Sequence, residues 1–329
     1  MAFLSVVTTV RATSQEDFRY GVYKSNGTAY IEKYIGSSAV VDVPSSIRAD
    51  SGDRDDEGNP IYRNYTVTCI SKYAFSGNVG ITQVSIPETI TDGSKLCIFA
   101  ECTNLREVNF KGVVRDIPTG MFSKCSNLQT LDLQWDSVES IGSGAFQDCG
   151  YDFGELDYLP NVKTIGAWAF GNVQTLTSVS LSSLTRIERE AFIGCGNLES
   201  ASVDGAGLRL EGGGENDYYT YGPFARCPKL RTVRLGDGVV SIPYRLFYGS
   251  TNLETVVLGR GITVANTVLR DLKNLTTVVA RGAIRVIPTG MFSGCSNLRT
   301  LDLKWDSVES IGSGAFQDCG YDFGELDYL

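Results

Sequence analysis

Residues Ile117 to Leu159 return as Ile287 to Leu329 with three substitutions: Lys124 becomes Gly294, Gln129 becomes Arg299 and Gln134 becomes Lys304. A near-copy displaced by 170 residues limits the possible architectures more than any bulk property, because it points to a chain built by repetition. Each copy contains a shorter unit, I-x-x-x-x-F-x-x-C-x-x-L-x-x-L/V-x-L. Its aromatic position runs through Phe75, Phe99, Phe122, Phe146, Phe170, Phe192, Phe224, Phe247, Leu269, Phe292 and Phe316. The steps are 22 to 24 residues, except for 32 residues between Phe192 and Phe224, which contain the insertion Leu208 to Tyr221. The register therefore comprises eleven units, ten of them complete.

A unit this short cannot bury its own apolar residues. Stacked units merge them into one column and lay their strands side by side. Pairs such as Val108/Phe110, Leu131/Leu133, Val179/Leu181, Val233/Leu235 and Val256/Leu258 alternate as a strand with one buried face does. The units at Phe146 and Phe316 need one extra residue, which places Phe153, Leu156 and Tyr158 in the first of them. Eleven strands about 4.8 Å apart give one continuous parallel sheet on the order of 50 Å long. The stretch around each Phe is the return arm, expected as a short helical or 3₁₀ turn. That arm is bulkier than a strand, so the stack should curve with the sheet on its concave side.

Residues before about Cys69 lack the pattern. Phe18 to Tyr23 and Thr28 to Tyr34 alternate around Ser25-Asn26-Gly27, and Asn-Gly between such runs is a hairpin signal. Ala39 to Val43 reads as a further strand closed by Pro44. A solenoid end needs a cover, so residues 16–68 are expected to form an N-terminal β-hairpin cap on a repeat domain spanning 69–329. Residues 1–15 read either as the remnant of a secretory signal or as a disordered tail: Ala2 to Val10 is mildly apolar, but nothing basic precedes Arg11. At the other end no capping sequence follows Leu329, so the last coil is expected to fray or to self-associate.

The units I-G-S-G-A-F-Q-D-C and I-E-R-E-A-F-I-G-C-G-N-L-E-S, with the opening A-Y-I-E-K-Y-I-G-S-S-A-V-V-D-V-P-S-S-I, resemble the BspA-type leucine-rich repeats. The resemblance covers about residues 16–329. It implies an α/β, right-handed leucine-rich-repeat solenoid with a parallel concave sheet. It also implies an extracellular or cell-surface protein, often an adhesin. The more familiar eukaryotic repeat keeps an Asn three residues past the strand; Asp136 and Asp306 stand there, so its Asn ladder is not assured.

The chain has no histidine and a net charge of −9. The first fact removes Ser/His/Asp and Cys/His nucleophile systems and His-ligated metal sites. The second disfavours nucleic acid as a partner. No run approaches the roughly 20 apolar residues that span a bilayer. Seven cysteines share one register, Cys102, Cys125, Cys149, Cys195, Cys227, Cys295 and Cys319. One thiol per coil, three residues after a buried Phe, reads as a small buried hydrophobe and not as a metal or disulfide partner. Asp53, Asp55, Glu57 and Gly58 only faintly resemble a calcium loop and read as a solvated acidic loop. Gly212-Gly213-Gly214 lacks the Lys that a phosphate loop requires. No metal or cofactor is expected.

A ligand would meet the outward strand positions: Glu107, Asn109, Asp132, Glu155, Asp157, Arg234 and Asp302, with Trp135 and Trp305 just past their strands. An exposed Trp is a frequent hot-spot type. The leading expectation is a binding module, an adhesin for a protein or glycan of a host or neighbouring cell. The alternatives are an array element of an envelope or filament and, less favoured, a carboxylate glycan hydrolase using Asp132 and Asp157.

Overall fold

The computed structural model describes residues 13–90, 97–213, 217, 219–264 and 267–323. The expected tail therefore lies largely outside the described residues, as do Leu326 and the rest of 324–329. The first element is a four-stranded sheet in which β1 (Phe18–Tyr23) and β2 (Thr28–Tyr34) form the Asn26-Gly27 hairpin. Gly27 adopts φ +72°, a conformation that glycine reaches without steric cost. β3 (Val40–Asp42) leaves this sheet and pairs with Gln83–Ile86 as the first rung of the repeats. β4 (Ser46–Arg54) and β5 (Pro60–Ile70) make a second hairpin, and β5 also pairs in parallel with β2. Phe18 and Tyr34 lie over the first repeat aromatic: the Tyr34 and Phe75 rings stack at 5.7 Å.

From there the chain winds into coils around one apolar core. Phe75 through Phe292, with Leu269 in the register, are fully buried, and Phe316 is partly buried. Consecutive rings stack face to face: Phe122 and Phe146 at 5.5 Å, Phe170 and Phe192 at 5.2 Å, and Phe192 and Phe224 at 5.3 Å. The last pair spans the insertion, which therefore leaves the column unbroken.

The strands form two rows. The longer row is not the one continuous sheet expected. It consists of a four-stranded piece, β3 to Thr130–Asp132, and a seven-stranded piece, Gly154–Leu156 to Thr300–Asp302. The division falls at the unit with the extra residue. There Gly154 takes φ +49° and the register slips between Gly154 and Glu155. Just before it, the chain turns through a 3₁₀ helix, Trp135–Ser137. The second row consists of short strands beside the conserved-register Ile: seven from Asp116–Ile117 to Thr263–Val264, then a pair, Val286–Ile287 and Ser310–Ile311.

The return arm corrects the α/β expectation: among the described residues there is no α-helix, only three 3₁₀ turns. The reason lies two residues either side of each Phe. Glu101, Lys124, Asp148, Trp168, Glu190, Arg226 and Arg245, among others, hold positive φ, and Gly120, Gly144 and Gly194 hold equivalent places. A left-handed residue every four positions cannot propagate a helix. Instead the arm bonds coil to coil, as when Gly120, Phe122 and Lys124 donate to the carbonyls of Ser143, Ala145 and Gln147.

Side chains add two further ladders. Thiols of Cys102, Cys125, Cys195 and Cys227 donate to the carbonyls of Phe75, Phe99, Phe170 and Phe192, 3.0–3.2 Å away, and Ser250 fills the same slot toward Phe224. Burial pushes these thiols up, Cys102 to about 11 and Cys227 to about 12, so they remain protonated donors at neutral pH. An Asn ladder does exist, displaced from the position considered above. Asn104, Asn127, Asn161, Asn197 and Asn252, each just before a buried Leu or Val, donate to the preceding coil at 2.7–2.8 Å.

Candidate functional site: the outward face of the longer row

Pairing register places the outward residues of the longer row in two columns. Along the seven-stranded piece one column reads Glu155, Ser178, Ser200, Thr232, Thr255, Thr277, Thr300. The other reads Ser180, Ser202, Arg234, Val257, Val279, with Asp302 next. Between these outward residues Val179, Ala201, Val233, Val256, Val278 and Leu301 point into the core. The hydroxyls from Ser178 to Thr277 in the first column therefore sit on rungs fixed from behind by buried packing and from both sides by backbone pairing, and Thr300, on the last strand, is paired on one side. The face is small-featured and hydroxylated over six coils, with Arg234 as its one cation and acids at both ends.

The expected site residues do not form one cluster. Glu107, Asn109 and Asp132 belong to the four-stranded piece, with Asn109 and Asp132 in register. The Glu107 carboxylate there accepts from the Asn109 amide at 2.7 Å and from the Gln83 amide at 3.1 Å. Glu155 and Asp157 begin the other piece and are exposed. Arg234 lies mid-face, in register with Ser202 and Val257, and Asp302 lies at the far end. Of the two acids considered together, Asp132 ends one piece and Asp157 follows the first strand of the next.

The two tryptophans are partly buried and sit in aromatic clusters. Trp135 is half-buried among Phe146, Tyr151, Phe153 and Tyr158, with ring centroids 5.6–6.3 Å apart. Trp305 repeats the arrangement with Phe316, Tyr321 and Phe323. Both rings pack against the apolar core and remain partly exposed. The Ser/Thr columns were missed, although they have a signal: S-V-S-L, S-A-S-V, T-V-R-L, T-V-V-L, T-V-V-A and T-L-D-L each carry a hydroxyl before the buried residue.

The acidic loop resolves as the β4–β5 turn. Asp55 accepts the N–H groups of Glu57 and Asn59, both at 2.9 Å, as a turn carboxylate does. Among the described residues no group of His, Cys, Asp and Glu is arranged to hold a metal ion, and no helix is long and apolar enough to cross a membrane.

The BspA type leucine rich repeat region matches this sequence in six copies, over residues 59–158, 152–207 and 220–322. That is well over half the chain, which therefore belongs to this family of leucine-rich-repeat proteins. Among solved structures it is similar to a leucine-rich repeat protein from Bacteroides ovatus at 22% identity and a TM-score of 0.58, covering 93% of this chain and 80% of that one. It is also similar to a leucine rich cell surface protein from Faecalibacterium prausnitzii at 19% identity and a TM-score of 0.47, covering 90% and 97%. The first likeness shows the fold. No curated protein matches the sequence.

Proposed function

We propose that the chain is an extracellular or cell-surface binding module that engages a protein or glycan of a host or neighbouring cell through the outward face of its longer row. The observation that supports this most is the hydroxyl strip from Ser178 to Thr300, held in register by pairing on every rung. Short side chains on a fixed backbone lose little rotamer freedom when a partner settles on them, which lowers the cost of association. Several hydroxyls can both donate and accept toward a polar ligand.

Binding is favoured over catalysis because no histidine is present to activate a nucleophile and most register thiols are buried. The six buried register thiols, Cys102 to Cys295, face backbone carbonyls, and burial raises their pKa. The candidate acids Asp132 and Asp157 lie on separate pieces of sheet.

The test is a panel of extracellular-matrix proteins and arrayed glycans, probed with the intact chain and with a Thr255→Arg/Thr277→Arg variant. Two long cations placed mid-face should abolish capture of the ligand while the circular dichroism spectrum stays unchanged. Capture that is indifferent to these substitutions would remove this face as the site.

A further inference from the structure

Trp168, the third tryptophan of the chain, occupies a place where the repeat does not need a side chain. It stands two residues before Phe170 with φ +59°, and Gly120, Gly144, Gly290 and Gly314 hold the same place in other coils. The turn therefore closes without an indole, and a bulky residue seldom adopts this backbone. Trp135 and Trp305 pack against the apolar core; Trp168 stands off it and is partly exposed on the arm. Among the described residues no second aromatic ring or cation lies on its faces.

The ring is held by its edges. The indole N–H donates to the Glu190 carboxylate at 2.7 Å, and Glu190 is only 7% exposed. A buried carboxylate is costly unless it is hydrogen-bonded, and this one spends its oxygens on the indole and on the Tyr221 N–H, 3.4 Å away. At the other edge, a methyl group added to Gly171 would lie 2.8 Å from Cε3 of the indole, so the glycine makes room for the ring. Both contacts fix the direction of the ring and leave its faces for a partner.

Polar groups of the preceding coil border the ring. The Gln147 side chain approaches the same Gly171 position to 3.6 Å through its Cγ, and its amide makes no hydrogen bond among the described residues. Asp148 accepts the Asn172 amide at 3.0 Å on one oxygen and keeps the other for a further donor. A methyl group on Gly144 would meet nothing nearer than the Gln147 Oε1, at 3.5 Å, so the approach from that coil is open. A pyranose has an apolar C–H face that stacks on an indole and a rim of hydroxyls that pair with carboxylate and amide groups. A proline-rich peptide could use the ring, but proline has no N–H to give the Asp148 carboxylate. That carboxylate, in a chain of net charge −9, also disfavours an acidic sugar. We propose that Trp168, with Gln147, Asp148 and Asn172 at its rim, forms a binding site for a neutral pyranose glycan. The site lies on the arm and is separate from the hydroxyl strip of the longer row.

The test is equilibrium binding of the full chain to maltohexaose, cellohexaose, mannohexaose and chitohexaose, with a proline-rich peptide as the competing class. The expected result is binding of at least one hexasaccharide. Trp168→Gly should keep the parent circular dichroism spectrum, because glycine closes the same turn at Gly120, Gly144, Gly290 and Gly314, and should lose about tenfold or more in affinity for that sugar. Trp168→Phe keeps a ring without the N–H and should lose several-fold. Gln147→Ala, a change at the rim that removes no bond of the fold, should also lose several-fold. The Thr255→Arg/Thr277→Arg variant should bind the sugar as the parent does, which separates this site from the longer-row face. Failure of the parent to bind any hexasaccharide would overturn the proposal, as would undiminished binding by Trp168→Gly or Gln147→Ala. Loss of sugar binding in Thr255→Arg/Thr277→Arg would also overturn it, by moving the sugar to the longer row, and so would a proline-rich peptide bound as tightly as the sugars, by making the ring a peptide site.

Discussion

The two near-identical segments, Ile117 to Leu159 and Ile287 to Leu329, fold alike inside but sit differently in the stack. Within each copy the contacts agree. Trp135 lies 6.2 Å from Phe146 and Trp305 lies 6.3 Å from Phe316; Phe146 and Phe153 meet edge to face at 5.0 Å, Phe316 and Phe323 at 4.7 Å. Toward the preceding coil they agree as well, with stacking distances of 5.5 and 5.2 Å. They part on the other side. The first copy is followed by the coil of Phe170, whose ring packs on Phe146 at 5.6 Å and on Phe153 at 5.2 Å. The second is the last coil of the structure. Ile141 is accordingly 1% exposed and Ile311 40%, and Phe316, Cys319 and Phe323 are only partly buried. A coil's own sequence thus sets its internal geometry, while its burial depends on what stacks against it, as expected when stability is a sum of neighbour interfaces.

Substituting alanine at the aromatic register should open the widest gap between the copies. Phe146→Ala removes a ring packed on both sides and should cost about 3–5 kcal/mol. Phe316→Ala should cost roughly half as much, since that ring is only partly buried and among the described residues no coil packs on its far side. Urea titrations of the two variants decide the matter, and equal losses would show that burial by the following coil is energetically unimportant.

Hydrogen exchange should show a comparable contrast at single amides. The N–H groups of Gly144, Phe146 and Asp148 donate to Ala167, Ala169 and Gly171. Their counterparts Gly314, Phe316 and Asp318 have no such acceptor among the described residues. The first three should exchange slowly and the second three quickly. Appending a copy of the Phe170 coil after the last unit should slow the second set, and no change on doing so would break the comparison.

A smaller difference is expected at the thiols. Burial raises both, Cys149 to about 12 and the half-buried Cys319 less far. A thiol alkylating reagent at pH 8.5 should therefore label Cys319 well before Cys149, as mass spectrometry of the peptides would show. The same shifts set a pH dependence. The folded pKa lies above the unfolded one, so the unfolded chain releases these protons first, and stability should fall as pH rises above about 9. A urea midpoint constant from pH 7 to pH 10.5 would contradict that sign.

The smallest effect serves as a control. Each copy forms the same exposed ion pair with an arginine two residues before it begins, Glu139 with Arg115 at 2.6 Å and Glu309 with Arg285 at 3.0 Å. Arg115→Gln and Arg285→Gln should each cost under about 0.5 kcal/mol, and about equally. A large inequality would mean that charge, and not only apolar cover, distinguishes the two environments.

The sequence by itself determined the repeat, its register and the inward residues. A Phe every 22 to 24 positions, with a Leu or Val at fixed offsets, can bury those side chains only by stacking. It also carried the Asn26-Gly27 hairpin and the one-per-coil thiols. Three features were decided only in the tertiary structure. The arm is a stack of left-handed turns because coil-to-coil hydrogen bonds stabilise positive φ at Lys124, Asp148 and Arg226, and no local propensity of those residues signals it. The longer row divides between Asp132 and Gly154, in the unit that carries the extra residue, and a missed pairing of this kind exists only when two coils are laid side by side. The Tyr221 and Tyr248 rings, 5.0 Å apart with the Arg226 guanidinium over the first, come together from an insertion and two coils, so they share no motif. Periodicity encodes which residues point inward, because burial repeats with the coil. What gathers on the outside depends on how neighbouring coils align, and that is a property of the stack.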